Sequence, residues 1–424
     1  MDAWLEFIKF NESGIKRNKM IIIEQISCCG CQACVNICPK KCISMKADDE
    51  GFLYPSIDKT TCINCGLCEK VCPILHKPST FSVLATYAAK HTSSEVKLKS
   101  SSGGIFSALA EVILKEGGVV FGVAFDKDWN VVHKYVEKLD NLDKLRRSKY
   151  VQSNIGRTYQ QAKQFLDQGR TVLFTGTPCQ IAGLRNYLGK VYNNLLTADI
   201  ICHAVPSPAV WQKFLHENLD ISLIKAINFR EKDVRWSTFY LSFLTPHGLN
   251  VHGNTKTLAE KVHFKLRAAV ASVVYRNTFL NAFLRELINR PSCHTCHFKG
   301  LNARLSDFTL GDLWGQWPGI ITKQDKKYGM SVLLVNTIKG QKYFEEIHPS
   351  SQYFPVDAQK VAEFNSALDN PTVIHPKRAD FFRRYQSENF NKLVRELLDL
   401  KPAWIAIPLS ASKKIIRKCL NCFK

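Results

Sequence analysis

Two cysteine runs within the first 73 residues constrain this chain more than any other feature. CCGCQACVNICP (28–39) and CINCGLCEKVCP (62–73) both read C-x2-C-x2-C-x3-C-P, the spacing of bacterial two-cluster ferredoxins. A cubane of iron and sulfide needs four thiolates around one core. Steps of three residues in a tight turn aim three sulfurs inward and leave the fourth too far along the chain, so the fourth serves the other cluster. The spacing therefore predicts one 4Fe-4S cluster on Cys28, Cys31, Cys34 and Cys72, and a second on Cys62, Cys65, Cys68 and Cys38. Pro39 and Pro73 turn the chain away. A zinc site would use two CxxC pairs for one ion, and a disulfide framework is foreign to a long chain with no signal peptide. Cys29 and Cys42 fall outside the register and read as spectator thiols, with Cys42 a competing fourth ligand in the frame Cys31, Cys34, Cys38, Cys42.

The chain has 424 residues, far more than a ferredoxin needs, which leaves about 350 for one large or two ordinary domains with proper cores. Hydrophobic content of 45% with 22% charged residues is ordinary for a globular protein, and no apolar run is long enough to span a bilayer. MDAWLEFIKFNESG lacks the features of a signal peptide, so a reducing cytoplasm is expected. Residues 1–19 read as an extension before the strand-like MIIIEQIS that begins at Met20.

Net charge is 58 minus 37, or +21, which invites a nucleic-acid reading. Two or three cubanes with their thiolates would remove about four to six units. The basic residues are dispersed and no nucleic-acid-binding motif accompanies them, so no nucleic-acid partner is expected. Only the tail ASKKIIRKCLNCFK is locally basic; it reads as a solvated terminus or a contact for an acidic partner or lipid headgroups.

A two-cluster α+β ferredoxin-like domain over 20–75, a linker at 76–81 and an α/β domain with a mainly parallel sheet is the fold class expected. ILHKPST (74–80) carries the linker signals. Beyond it, strand-like SVLATYAAK, VVFGVAF, VVHKYVE, TVLFTG (171–176), LLTADIIC and IKAINF alternate with the helical patterns that follow SSSGG and with TYQQAKQFLDQG, CQIAGLRNYLG and PAVWQKFLHENL. SSSGG (100–104) before a helix suits close approach to an anion or an ordinary N-cap turn. GxGxxG is absent, and TGTPCQIAG lacks the lysine of a Walker loop.

Cys179 and Cys202 each follow a strand, and Cys293 with Cys296 forms CHTC. Carboxyl ends of parallel strands face the site crevice, so the four are expected to meet there. Spacing leaves open zinc assisted by His294 and His297, a redox thiol pair, or plain buried cysteines. Cys419 and Cys422 read as spectators.

KSSSGGIFSALA, SKYVQS (148–153), VLFTGTPCQIAGL (172–184), DIICHAVPSP (199–208), RPSCHTCHFK and SDFTLGDLWG (290–315) together resemble the coenzyme F420 hydrogenase/dehydrogenase beta-subunit family. The resemblance implies a family N-terminal-like domain at 82–165, a C-terminal-like domain at 166–330, and a region of unassigned role at 331–424. It further implies FAD held by Ser101, Ser102, Gly103, Gly104, Lys149, Tyr150, Gln152, Ser153, Thr175, Gly176 and Thr177, and a third 4Fe-4S cluster on Cys179, Cys202, Cys293 and Cys296. An iron–sulfur flavoprotein is the function implied. It would pass electrons from a ferredoxin or another redox protein to a small organic acceptor. Use of the deazaflavin coenzyme itself does not follow, since many bacterial relatives resemble members of surface-polysaccharide gene sets, and that metabolism is the setting implied. A non-catalytic electron-transfer subunit of a larger redox complex is the alternative. Ala204, Glu231 and Arg235 depart from the family pattern around the substrate pocket. His203 reads as a proton donor or a hydrogen bonder behind a cluster ligand, and Asp312 and Trp314 as organisers of a turn. No catalytic acid is assigned.

Overall fold

The computed structural model describes residues 24–400, except 233–235, 238, 247 and 251–276. The 1–19 extension, Met20, Arg235 and the basic tail with Cys419 and Cys422 lie outside the described residues. Gln25–Ser27, expected to end a strand, form a 3-10 turn.

In the cysteine-rich module, helix α1 (Ala33–Ile37) and helix α2 (Leu67–Lys70) flank an antiparallel hairpin of β1 (Ile43–Ala47) and β2 (Leu53–Ile57). Each helix starts at a left-handed residue between the second and third cysteine of its run, Gln32 (φ 62°) and Gly66 (φ 72°). That reversal bends each run back on itself, as a chain wrapping one core requires.

The rest is built on one eight-stranded sheet. Its strands are β3 (Ala85–His91), β4 (Val119–Phe125), β5 (Val131–Val136), β6 (Val172–Gly176), β7 (Leu195–Ile200), β11 (Phe308–Asp312), β12 (Ser331–Val335) and β13 (Ser351–Pro355). They lie in the order β13-β3-β12-β11-β7-β6-β4-β5. The centre, β11-β7-β6-β4, is parallel, as alternating strands and helices demand. Both flanks are antiparallel. The alternating VVHKYV is the β5 edge, where one-sided burial is expected. Boundaries expected at 165/166 and 330/331 both fall within this sheet, because 331–355 supplies β12 and β13.

Two helices cover one face: α4 (Ile105–Lys115), following the short α3 (Ser94–Leu98), and α10 (Ile338–Glu346). The other face carries α5 (Thr158–Asp167), α6 (Pro178–Leu188) and, against them, α1 of the cysteine module. IKAINF does not join the parallel sheet. It forms β8 (Ala226–Glu231) in a separate antiparallel sheet with β9 (Tyr240–Thr245) and β10 (Gly248–Asn250), because Phe229 buries into a core shared with α7 (Pro208–Asn218) and α8 (Thr278–Leu284). Past the short α9 (Asp325–Tyr328), the carboxyl-terminal part adds α11 (Ala358–Phe364), α12 (Arg378–Arg384) and α13 (Phe390–Leu397). Arg378 on α12 makes a two-pronged ion pair with Glu50 in the β1–β2 turn, and Tyr385 donates to Asp49 O at 2.9 Å. The carboxyl-terminal region thus clamps the module. Its linker is pinned as well: Asn186 donates to His76 O and Arg185 to Ser79 O, at 2.6 and 2.7 Å.

Candidate cluster sites and cofactor cleft

Three concave sites are lined by the residues that the motifs single out. The first gathers Cys28, Cys31, Cys34 and Cys72, with Cys29 and Cys68 at its edge. Cys38, Cys62, Cys65 and Cys68 meet in the second, so Cys68 borders both. Cys42, outside the register, also lines the second site, with its sulfur 3.4 Å from that of Cys38. Burial, followed by the charges of Cys28 and Cys72, pushes the Cys34 thiol up to about 12. A thiol in such company gives up its proton when positive charge arrives, as on metal binding.

Cys179, Cys202, Cys293 and Cys296 also come together. Burial pushes the Cys293 thiol up to about 12, with Cys179 and Cys296 adding to the rise; Cys202 is raised by burial and then by the other three cysteines, against the pull of Lys299. Cys179 sits in the first turn of α6, where Thr177 and Gln180 form a reciprocal capping box. Cys293 closes a 3-10 turn, Pro291–Cys293. His294 is turned toward Thr372 O at 3.2 Å and His297 is exposed. Among the described residues no three His, Cys, Asp or Glu side chains are spaced for a single metal ion, whereas zinc wants its ligands about 2.0–2.3 Å from one centre. The donor set is all sulfur, the ligand type that 4Fe-4S clusters take.

The first and third cysteine groups adjoin. A Cβ built on Gly183 of α6 would lie 2.9 Å from both Cβ and Sγ of Cys31. Gly183 is four residues, one helical turn of about 5.4 Å, beyond Cys179. Cys29, a spectator by its spacing, lies near enough to Cys179 and Cys31 for its thiol to interact electrostatically with theirs. Its place between them depends on the docking of α1 on α6, which no local spacing reveals. Arg290 cements the junction: fully buried, it donates to Cys28 O at 2.8 Å, Gln152 Oε1 at 2.8 Å and Leu53 O at 3.2 Å.

A cleft of about 480 Å³ opens at the carboxyl ends of the parallel strands, the usual ligand position in such sheets. Ser101, Ser102, Gly104, Lys149, Tyr150, Ser153, Thr175, Gly176 and Thr177 line it, together with Cys202 and His203. Two expected residues do not. Gly103 is packed under the loop, its N–H donated to Ser331 Oγ at 3.0 Å, and a Cβ there would meet Ala89 O at 2.5 Å. Gln152 turns away to Cys29 O and Arg290. Gly104, at φ 95°, starts the eleven-residue α4 without a side-chain cap, which leaves that helix end, with its partial positive charge, at the cleft. Lys149 spends its ammonium on the carbonyls of Lys144, Arg146 and Arg147, and burial, then Arg147, brings its pKa down to about 7. His203 Nε2 lies 2.6 Å from Glu286 Oε1.

His133, under the Thr175–Gly176 turn, belongs to no motif. Gln180 Nε2 donates to Ser153 Oγ at 2.9 Å, Ser153 lies 2.9 Å from His133 Nδ1, and His133 Nε2 lies 3.1 Å from Thr175 O. The carbonyl demands a proton on Nε2, so Nδ1 accepts from Ser153. Burial lowers the His133 pKa to about 4, against the carbonyl's pull. A base with a depressed folded pKa gives stability that is whole above its unfolded pKa of about 6.5 and is lost as pH falls toward 4. The increment is about 3 kcal/mol. Denaturant unfolding from pH 7 to 4 is expected to show this slope in the natural protein and to lose it in His133→Gln.

Comparison with known proteins bears on this arrangement. Residues 169–358 match the family described as coenzyme F420 hydrogenase/dehydrogenase, for the carboxyl terminus of its beta chain, and residues 27–74 match a 4Fe-4S dicluster domain. Among curated proteins the chain is similar to one of the subunits of F(420)H(2) dehydrogenase from Methanosarcina mazei, at 21% identity over 176 residues, 39% of this chain and 49% of that protein. The match thus spans about half the length of that relative. Among solved structures it is similar to a chain of the F420-reducing [NiFe] hydrogenase complex from Methanosarcina barkeri, at 17% identity and a TM-score of 0.43, covering 68% of this chain and 92% of that one. No helix among the described residues is long and apolar enough to cross a membrane. With the cysteine module in front and the matched region carrying CHTC and part of the cleft wall, residues 169–358 are similar to the carboxyl-terminal part of the coenzyme F420 hydrogenase/dehydrogenase beta subunits, and residues 27–74 form a 4Fe-4S dicluster domain at the amino-terminal side.

Proposed function

We propose that this iron–sulfur protein is a flavin-dependent oxidoreductase that takes electrons from a ferredoxin-type donor at its cysteine module and delivers them to an organic acceptor at the cleft. The observation that carries the reading is the close packing of Cys31 on α6 at Gly183, one helical turn from Cys179, with Cys202 in the cleft wall. Cys28, Cys31, Cys34 and Cys72 would hold one 4Fe-4S cluster, Cys62, Cys65, Cys68 and Cys38 the second, and Cys179, Cys202, Cys293 and Cys296 a third. Cys65 is exposed, which makes the second site the side of entry.

FAD fits the cleft on the chemistry of its rim. The α4 amino end and the small residues Ser101, Ser102 and Gly104 suit phosphates, and Tyr150, Thr175, Gly176 and Thr177 offer wall and backbone. When bound, a flavin supplies the exchange between single electrons and electron pairs that clusters lack. Ser101 Oγ, by accepting the Ser148 N–H at 2.8 Å, ties the two lining loops together. The Glu286 carboxylate lies beside His203 at the cleft wall, where an acceptor's proton would be supplied. That the acceptor is a sugar-linked metabolite of surface polysaccharide formation rests on the family resemblance alone.

A second reading, a non-catalytic electron-transfer subunit, is favoured by the curated relative, which is itself one component of a larger dehydrogenase. Anaerobic rapid mixing separates the two. Reduced ferredoxin is expected to bleach the iron–sulfur absorbance and then the flavin absorbance of the isolated protein. Reduced clusters beside a flavin that stays oxidised would sink the oxidoreductase reading.

A further inference from the structure

Among the described residues the cleft is lined by three Arg or Lys side chains, Arg147, Lys149 and Arg230. Two already donate to main-chain carbonyls: Lys149 to three as above, and Arg147 through Nε and Nη2 to Lys99 O and Leu98 O. Arg230 is different. Its side chain is 2% exposed, and Nη1 pairs with Asp312. Tyr150 also faces the group, yet neither Nε nor Nη2 has a hydrogen-bond partner of proper geometry among the described residues. Leaving buried donors unused costs free energy that a ligand would recover.

The guanidinium is also held in place. Arg230 N donates to Asn228 Oδ1 at 3.0 Å, and the rings of Phe239, Trp236 and Trp314 surround the group at 4.4, 5.5 and 5.8 Å. Trp236 and Trp314 in turn pack on each other at 4.4 Å. Asp312 occupies one nitrogen and so sets the rotation of the fork. Two adjacent N–H groups in a plane, in a water-poor bay, match the two oxygens of a carboxylate or phosphate.

We propose that Arg230 is the anion-binding group of the acceptor end of the cleft, and that the acceptor carries a phosphate or carboxylate. This inference rests on the oxidoreductase reading above. It gives a substrate-side role to a residue outside the loops that suit the flavin.

Riboflavin and FMN are a matched pair of added acceptors, with one isoalloxazine ring and differing by a phosphate. The flavin-loaded, reduced protein is mixed anaerobically with each at low salt. The expected kcat/KM for FMN exceeds that for riboflavin about tenfold, and inorganic pyrophosphate competes with FMN but not with riboflavin. In Arg230→Lys the ammonium still reaches Asp312 but has no second planar donor, so the preference falls to about one. Equal values for the two acceptors in the natural protein, or a preference that survives in Arg230→Lys, would overturn the inference and leave the oxidoreductase reading standing. Loss of the resident flavin from Arg230→Lys would assign the guanidinium to the cofactor's phosphates and overturn it too. Reduction of neither acceptor would bring down both.

Discussion

Gly183→Val is expected to strip the protein of one cluster, about four irons, while leaving its α/β body folded. The cause is local and severe. A Cβ at this position falls 2.9 Å from Cβ and Sγ of Cys31 and 3.1 Å from the Tyr159 hydroxyl. None of these is the free end of a flexible chain: Cys31 is buried, and Tyr159 donates to Gln180 O at 2.7 Å. Helix α6 would keep its capping box and its sheet contacts, so the strain is relieved by moving the cysteine module. Overpacking of this kind costs about 1–3 kcal/mol, and here the loss is concentrated on one ligand. Iron and sulfide analysis of the anaerobically purified variant checks the count, and thermal unfolding checks that the body survives. Full iron content in Gly183→Val would mean that Cys31 is not held against α6 in a cluster-bearing protein.

Arg290→Met is expected to loosen the same junction by about 3 kcal/mol or more. Methionine keeps most of the stem but none of the donors, leaving Cys28 O, Leu53 O and Gln152 Oε1 buried without the N–H groups they now accept. It also removes the cation that sits 4.2 Å from the Tyr54 ring, a contact worth about 0.5–2 kcal/mol. Arg290 further opposes the rise of the Cys293 thiol that burial causes, so its loss weakens thiolate formation on the neighbouring site. Denaturant unfolding reads the stability, and iron release to a chelator is expected to quicken at least tenfold. An unchanged release rate would show that the module is held by Arg378 and Glu50 without help from Arg290.

What the sequence made legible was local. The eight ferredoxin-type cysteines group around two cavities because their spacing within tight turns already specifies which sulfurs converge. The parallel centre of the sheet followed from strand and helix alternation. Cys29 and Cys42 were legible only as outliers, since what they touch depends on how α1 meets α6 and on the course of the chain after Pro39. His133 and Arg230 lie in no motif, and Gly183 and Arg290, though inside VLFTGTPCQIAGL and RPSCHTCHFK, have no role that those motifs disclose. Each acts through partners that are distant along the chain, as with Arg290 and Cys28, 262 residues apart. The antiparallel placement of β8 was hidden for a related reason: an apolar run of that length suits either sheet, and the packing of Phe229 against α7 and α8 decides. The part played by 331–400 was hidden because completing a sheet edge and clamping Glu50 leave no local signature.

If the cysteine module, the CHTC group and the cleft form one continuous electron path, all of its cofactors must be present in a single chain. Iron, sulfide and flavin quantified on the same anaerobic sample test this most directly. About twelve irons and one flavin per chain are the predicted result. About eight irons with no flavin would contradict it, leaving a ferredoxin-type module on an α/β body whose cleft serves some other ligand.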